Sequence, residues 1–286
     1  MIAFFGTGLL GSGFVRALRR RGETVHVWNR THEKALRLES EGAAKAFLDP
    51  AEALKGAARL HLSLSDDAAV DGVLEKARPG LAPGAVIVDH TTTAPSATVG
   101  RAARWNEAGY VFIHAPVFMG PQNAHDSTGL MLVSGARPSV ERVRPDLEPM
   151  TGKLVDLGER VDAAAAFKLL GNLFLMFVTS GLAELFTLAR AMDVEPRVAA
   201  TLFDHWNPGR TLDTRIERML RADWPAASWG LAMARKDARL MMEEAERGAE
   251  PLSMLPAIAA RMDELIAEGH GEDDWTVLAK DALRAR

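Results

Sequence analysis

The stretch from Met1 to Thr31 restricts the fold of this chain more than any other. Met1 to Phe5 is a short apolar run, Gly6-Thr7-Gly8-Leu9-Leu10-Gly11 follows it directly, and Phe14 to Leu18 opens a helical pattern that stops at Gly22. A second apolar run, Thr24 to Trp28, completes a strand–helix–strand unit and ends in Asn29-Arg30-Thr31. Gly6 permits a sharp turn out of the strand, Gly8 lacks the Cβ that would hold a pyrophosphate off the backbone, and Gly11 lets the helix approach the strand closely. The free N–H groups of Thr7, Gly8, Leu9 and Leu10 at the helix start then favour a phosphate. A G-x-G-x-x-G alone is a weak signal, but here it has a strand before it, a helix after it and a second strand on schedule.

The end of the second strand bears on the choice of dinucleotide. Asn29 falls where an acidic residue would contact the adenosine ribose, close to the usual spacing of about 20 residues. Asn29 does not repel a 2′-phosphate, and Arg30 beside it offers a planar, permanently charged fork. NADP(H) is therefore expected over NAD(H). The alternative is that Arg30 caps a turn on a solvated surface.

With 286 residues the chain is long enough for one large or two medium domains, and 48% hydrophobic with 25% charged residues is ordinary for a soluble globular protein. A net charge of -4 gives no basic field, so no nucleic-acid partner is expected. The one dense basic run, Arg19-Arg20-Arg21, lies at a helix C-terminus, where cations meet the negative end of the dipole. The absence of cysteine excludes disulfides, thiolate metal sites and a cysteine nucleophile. A strand beginning at Ile2 leaves no room for a leader, so a cytoplasmic location is expected. The longest apolar stretch, Ala163 to Ala183, is interrupted by Lys168 and Asn172, and reads as a buried helix and not as a membrane span.

From residue 2 to residue 113 strands alternate with helical stretches, and Asp49-Pro50 and Ser65-Asp66-Asp67 look like helix starts. This alternation describes a doubly wound, mainly parallel Rossmann-type sheet. Leu130 to Val133 and Lys153 to Asp156 read as strands at the edge of the same domain, giving a dinucleotide-binding domain over 1–161. From 162 to 286 only helical periodicity remains, so an all-α domain for substrate and dimerisation is expected. Its first helix is apolar nearly all round, through Phe167, Leu170, Leu173, Phe174, Phe177, Leu182, Leu185 and Phe186. Such a helix calls for burial, and a domain of this size barely encloses it. A homo-oligomer, dimer or tetramer, is the expected solution.

Lys168 and Asn172 stand four residues apart and project from the same side of that helix. A desolvated lysine has a lowered pKa and exchanges protons near neutral pH, and an amide one turn away can orient it and bind a substrate oxygen. The structural alternative is a lysine snorkelling to water along its stem.

Together these residues resemble a known family. The glycine fingerprint, Asn29-Arg30-Thr31, Asp89-His90-Thr91-Thr92-Thr93-Ala94-Pro95, Ala115-Pro116-Val117 and the Lys168/Asn172 pair are similar to the β-hydroxyacid dehydrogenases, which include the 3-hydroxyisobutyrate dehydrogenases and the glyoxylate and succinic semialdehyde reductases. The similarity extends over essentially the whole chain. It implies Lys168 as general acid/base with Asn172 orienting the substrate, and Thr91 and Thr92 holding a substrate carboxylate near the nicotinamide. It also implies Leu64 and Ser65 beside the cofactor ribose, and Lys236 reaching back to the cofactor. The activity implied is hydride transfer between NADP(H) and a small β-hydroxyacid or its aldehyde or keto counterpart.

One departure stands out. After Ala-Pro-Val the family has serine, glycine, glycine on its carboxylate-binding segment, whereas this chain has Phe118, Met119 and Gly120. Two bulky apolar side chains either grease the pocket, favouring a smaller, flatter or less anionic substrate, or point into the core. An imine reductase-like enzyme and a non-catalytic NADP-binding sensor or scaffold are the rival readings, and Lys168 with Asn172 weighs against both. His90, His114 and His125 lack a metal-ligand spacing and are expected to be satisfied or solvated, with no metal required.

Overall fold

The computed structural model describes residues 1–284 and divides into two compact units, Met1–Leu173 and the chain from Phe174 onward. In the first unit the strands are β1 (Ile2–Phe5), β2 (Val25–Trp28), β3 (Lys45–Phe47), β4 (Arg59–Leu62), β5 (Val86–Asp89) and β6 (Val111–His114). Between them run α1 (Leu9–Arg20), α2 (His32–Ser40), α3 (Pro50–Leu54), α4 (Asp67–Ala77) and α5 (Pro95–Glu107). All pairings are parallel, in the order β3-β2-β1-β4-β5-β6. The doubly wound expectation holds, and the order reverses between β1 and β4, where such sheets open a binding crevice.

Alternation along β1 explains its unbroken apolar run. Ile2 and Phe4 pack with Phe14 and Val27 on one side of the sheet, and Ala3 and Phe5 with Leu62 and Ile87 on the other. A strand covered on both faces has no polar side to show. Local signals set the helix starts: the Asp49 carboxylate accepts from the Ala51 and Glu52 N–H groups, and that of Asp66 from the Ala69 N–H.

Three features differ from the sequence expectations. Lys45–Phe47 adds a strand beside β2, too short and too polar at Lys45 to show in the pattern. The later strands do not extend the main sheet. Instead β7 (Val117–Phe118), β8 (Leu130–Val133) and β9 (Lys153–Asp156) form a second sheet in that order, with α6 (Pro121–Asp126) and α7 (Arg137–Leu147) between its strands. The long helix α8 (Ala163–Ala191) forms as expected but is not buried within the chain: Phe167, Leu170, Leu173, Phe174 and Phe177 are each more than half exposed.

In the second unit, α8 is followed by α9 (Pro196–Ala200), α10 (Leu202–His205), α11 (Leu212–Arg221), α12 (Leu231–Arg247), α13 (Leu255–Leu265) and a 3₁₀ segment, Trp275–Leu283. α9 and α10 are separated at Thr201. Leu231, Ala234, Ala259, Met262 and Leu265 join α12 to α13 in a small core. Buried Asp274 pairs with Arg218, and bonds from the Thr276 hydroxyl and the Ser228 and Thr276 N–H groups keep its carboxylate well below the usual range despite burial.

Candidate active site

Parallel register brings the loops of interest to one edge. Phe5 pairs with Leu62, Leu62 with Asp89 and Asp89 with His114, so the segments after all four strands leave the same side of the sheet. Gly6 has φ +91°, and a Cβ on it would fall 2.0 Å from the Ser63 carbonyl oxygen. A Cβ on Gly11 would fall 1.9 Å from the Gly6 carbonyl oxygen. A Cβ on Gly8, in contrast, would meet nothing within 4 Å. The first and third glycines thus shape the turn, and the second leaves its surface open.

That opening suits a dinucleotide phosphate. The N-terminus of α1 has no side-chain cap, Leu9 beside it is exposed, and the buried Thr7 Oγ1 has no hydrogen-bond partner. These unsatisfied donors at a helix start fit a pyrophosphate. Asn29 plays a different part from the one its position suggested. Its Oδ1 accepts from the Thr7 N–H at 2.9 Å and its Nδ2 donates to the Thr31 carbonyl at 2.9 Å, so the amide ties the glycine loop to the end of β2. Arg30 and Thr31 are exposed at the start of α2, and the Thr31 hydroxyl makes no capping bond there.

Thr91 and Thr92 face different surroundings. Thr91 is buried: its N–H donates to Asp89 Oδ1 at 2.9 Å, its Oγ1 accepts from the Leu64 N–H at 3.0 Å, and its carbonyl contacts His114 Nε2 at 2.8 Å. Thr92 is exposed, and so is Ser65, whose hydroxyl donates to Asp66 Oδ2 at 2.8 Å. Burial pushes the Asp89 carboxyl up to about 6, against the bonds from Thr91. Buried Arg101 lies 4.0 Å from Asp89 Oδ2 and binds Asp67 and Asp71, each at 2.8 Å. Asp67 also accepts from the Ala94 N–H at 3.0 Å, which braces the threonine loop from behind. Asp66 caps the helix start expected at Ser65-Asp66-Asp67, and Asp67 does this second task.

His90 is satisfied as expected, whereas buried His114 is not, its Nδ1 having no hydrogen-bond partner. The Ala115 carbonyl only accepts, so His90 Nδ1 donates to it at 2.7 Å, leaving His90 Nε2 to accept from His61 Nδ1 at 2.9 Å. Arg59 Nε completes the line by donating to His61 Nε2 at 3.1 Å. His125 is exposed beside Asp126. Among the described residues no group of three or more His, Asp or Glu is placed to hold a metal ion.

The start of α8 is anchored by Ser134, whose Oγ accepts from the Ala164 N–H at 3.0 Å. One turn on, half-buried Lys168 donates from Nζ to Asn172 Oδ1 at 2.9 Å, and the same ammonium stands 4.2 Å from the centre of the Phe118 ring. Burial lowers the Lys168 pKa from the ordinary lysine value. The tip of the Phe118 ring reaches the helix because residue 171 is glycine: a Cβ there would fall 2.3 Å from Phe118 Cζ. Met119 turns the other way and packs against the sheet core. Gly120 donates its N–H to Asn123 Oδ1 at 2.9 Å. So Phe118 and Met119 part company, one at the lysine and one in the core. Lys236 lies in the second unit, exposed and paired with Asp237 at 2.7 Å.

Sequence reasoning missed Gly171, Asn123 and the Asp89–Arg101 pair. Gly171 alone gave a readable signal, since a glycine inside a helical pattern often marks a close approach.

Similarity to known proteins shows the family. Residues 1–158 match the NAD binding domain of 6-phosphogluconate dehydrogenase. The chain belongs to that family. It is 27% identical to the uncharacterized oxidoreductase YfjR of Bacillus subtilis, over 98% of each chain. It is 28% identical to glyoxylate/succinic semialdehyde reductase 2 of Arabidopsis thaliana, over 99% of this chain and 79% of that one. Distant homologues are thus β-hydroxyacid dehydrogenases, as the motifs implied. In fold the chain is similar to the imine reductase from Myxococcus stipitatus solved with NADP+, with a TM-score of 0.90 at 20% identity over 98% and 99% of the two chains. The family match makes residues 1–158 an NAD(P)-binding domain.

Proposed function

We propose that this NAD(P)-dependent oxidoreductase transfers hydride reversibly between NADP(H) and a small hydroxy compound of the β-hydroxyacid type or its aldehyde or keto counterpart. The observation that carries the reading is the Lys168–Asn172 hydrogen bond of 2.9 Å on a half-buried turn of α8. When bound, the nicotinamide supplies or accepts the hydride. Lys168 handles the proton: its ammonium gives one to the carbonyl oxygen in reduction, and its amine takes one from the hydroxyl in oxidation. Because Lys168 occupies Asn172 Oδ1, the Asn172 Nδ2 is left to donate to the same substrate oxygen.

Preference for NADP(H) rests on exposed Arg30 and the uncapped start of α2 with its Thr31 hydroxyl. Asn29 is spent on the glycine loop and sets up no charge against a 2′-phosphate. An imine acceptor is the second reading, favoured by the aromatic ring beside Lys168. A panel of small aldehydes, ketones, keto acids and imines with NADPH, followed at the nicotinamide absorbance, separates the two.

A second copy of this chain is proposed to cover α8. Its exposed phenylalanines and leucines are not a surface that a soluble monomer presents to water. Light scattering at micromolar concentration tests this, and a monomer would remove it.

A further inference from the structure

We infer that the substrate taken at Lys168 is uncharged where the β-hydroxyacid dehydrogenases hold a carboxylate. The inference rests on the reading of Lys168 as the acid/base of a hydride transfer. Its ground is that Thr91 and the Phe118–Gly120 segment, two of the groups expected to hold that carboxylate, are engaged within the protein or replaced by apolar side chains, while Thr92 stays exposed. Thr91 uses its N–H on Asp89 Oδ1 at 2.9 Å and its Oγ1 on the Leu64 N–H at 3.0 Å. Gly120 uses its N–H on Asn123 Oδ1 at 2.9 Å. Where a serine would offer a hydroxyl, Phe118 presents a ring, and Met119 packs against the core.

The Lys168 ammonium is bonded to Asn172 and stands 4.2 Å from the Phe118 ring centre. A carboxylate arriving beside that ring would lose water and meet the negative π face, and the Gly120 N–H is already given to Asn123. An alkyl, ester or amide group gains contact with the same ring at no such cost. Phe118, seated against Gly171, therefore sets the substrate class: a neutral aldehyde or ketone with an apolar neighbour to the reacting carbon.

The test is the reduction of 4-oxobutanoate against its methyl ester with NADPH, in the wild-type protein and in Phe118→Ser. The two substrates differ by one charge, so the ratio of their kcat/KM values isolates its effect. In the wild type the ester should exceed the anion by at least ~10-fold, the scale of one missing charge-assisted hydrogen bond. Phe118→Ser should bring that ratio towards one by raising turnover of the anion. An anion used as well as its ester by the wild type overturns the inference, and so does a Phe118→Ser variant in which both values change by the same factor. Failure of both substrates to oxidise NADPH, with NADPH still bound, overturns the underlying reading of the site instead.

Discussion

Phe118 and a side chain at residue 171 exclude one another, since a β-carbon built on Gly171 falls 2.3 Å from Phe118 Cζ. Alanine in an exposed helix is ordinarily more stable than glycine by about 0.5–1 kcal/mol. At 171 the clash reverses the sign. Gly171→Ala should destabilise by ~1–3 kcal/mol, whereas Gly100→Ala on α5, with nothing within 4 Å of the new carbon, should be neutral or stabilising. Denaturant unfolding of the two variants checks this, and a stabilised Gly171→Ala would show that the ring does not sit on the helix.

The same ring holds the Lys168 charge. Burial alone lowers the Lys168 pKa, and a ring face favours the ammonium. Reduction, which uses the protonated form, should therefore fall as pH rises through a pKa below the ordinary lysine value. Phe118→Leu should move that inflection to lower pH. A pH–rate profile with no shift in the variant would remove the ring from the account.

The buried histidines give stability its pH dependence. Burial pushes His90 and His114 down to about 4 and His61 well below the usual histidine value. Each stays neutral in the folded chain while the unfolded chain takes up a proton, so stability is present above about 6.5 and is lost as pH falls towards 4. Asp89, pushed up to about 6, acts in the opposite sense over part of that window but is one group against three. The denaturation midpoint should be lower at pH 5 than at pH 7, and the difference smaller in His114→Gln. A midpoint unchanged between those pH values would contradict the buried, neutral assignment.

Arg30 tests the choice of cofactor. Arg30→Ala should weaken NADPH by ~10-fold or more, as expected for a lost charged hydrogen bond, and leave NADH nearly unaffected. Equal weakening of both would mean that the 2′-phosphate is not read at Arg30.

Much of this was legible in the sequence because it depends on local rules. The glycine turn, the apolar runs of β1 to β6 and the caps at Asp49 and Asp66 each follow from a few neighbouring residues. Lys168 and Asn172 were readable because a helix fixes the relation between positions four apart. What escaped depends on partners distant in sequence. Asn29 pins Thr7 across 22 residues, and Arg101 meets Asp67 across 34. The parting of Phe118 and Met119 is likewise set by what lies on each side of β7, the glycine of α8 and the sheet core. The apolar circumference of α8 predicted burial, but a single chain does not supply it.

Lys168 carries the central claim, and its replacement tests that claim most directly. Lys168→Ala should lower kcat for carbonyl reduction by ~10²–10⁴-fold, the usual contribution of a general acid/base, while the Kd for NADPH, read by fluorescence titration, stays within about twofold of the wild-type value, a change under ~0.5 kcal/mol. Turnover that survives the substitution undiminished would contradict the account.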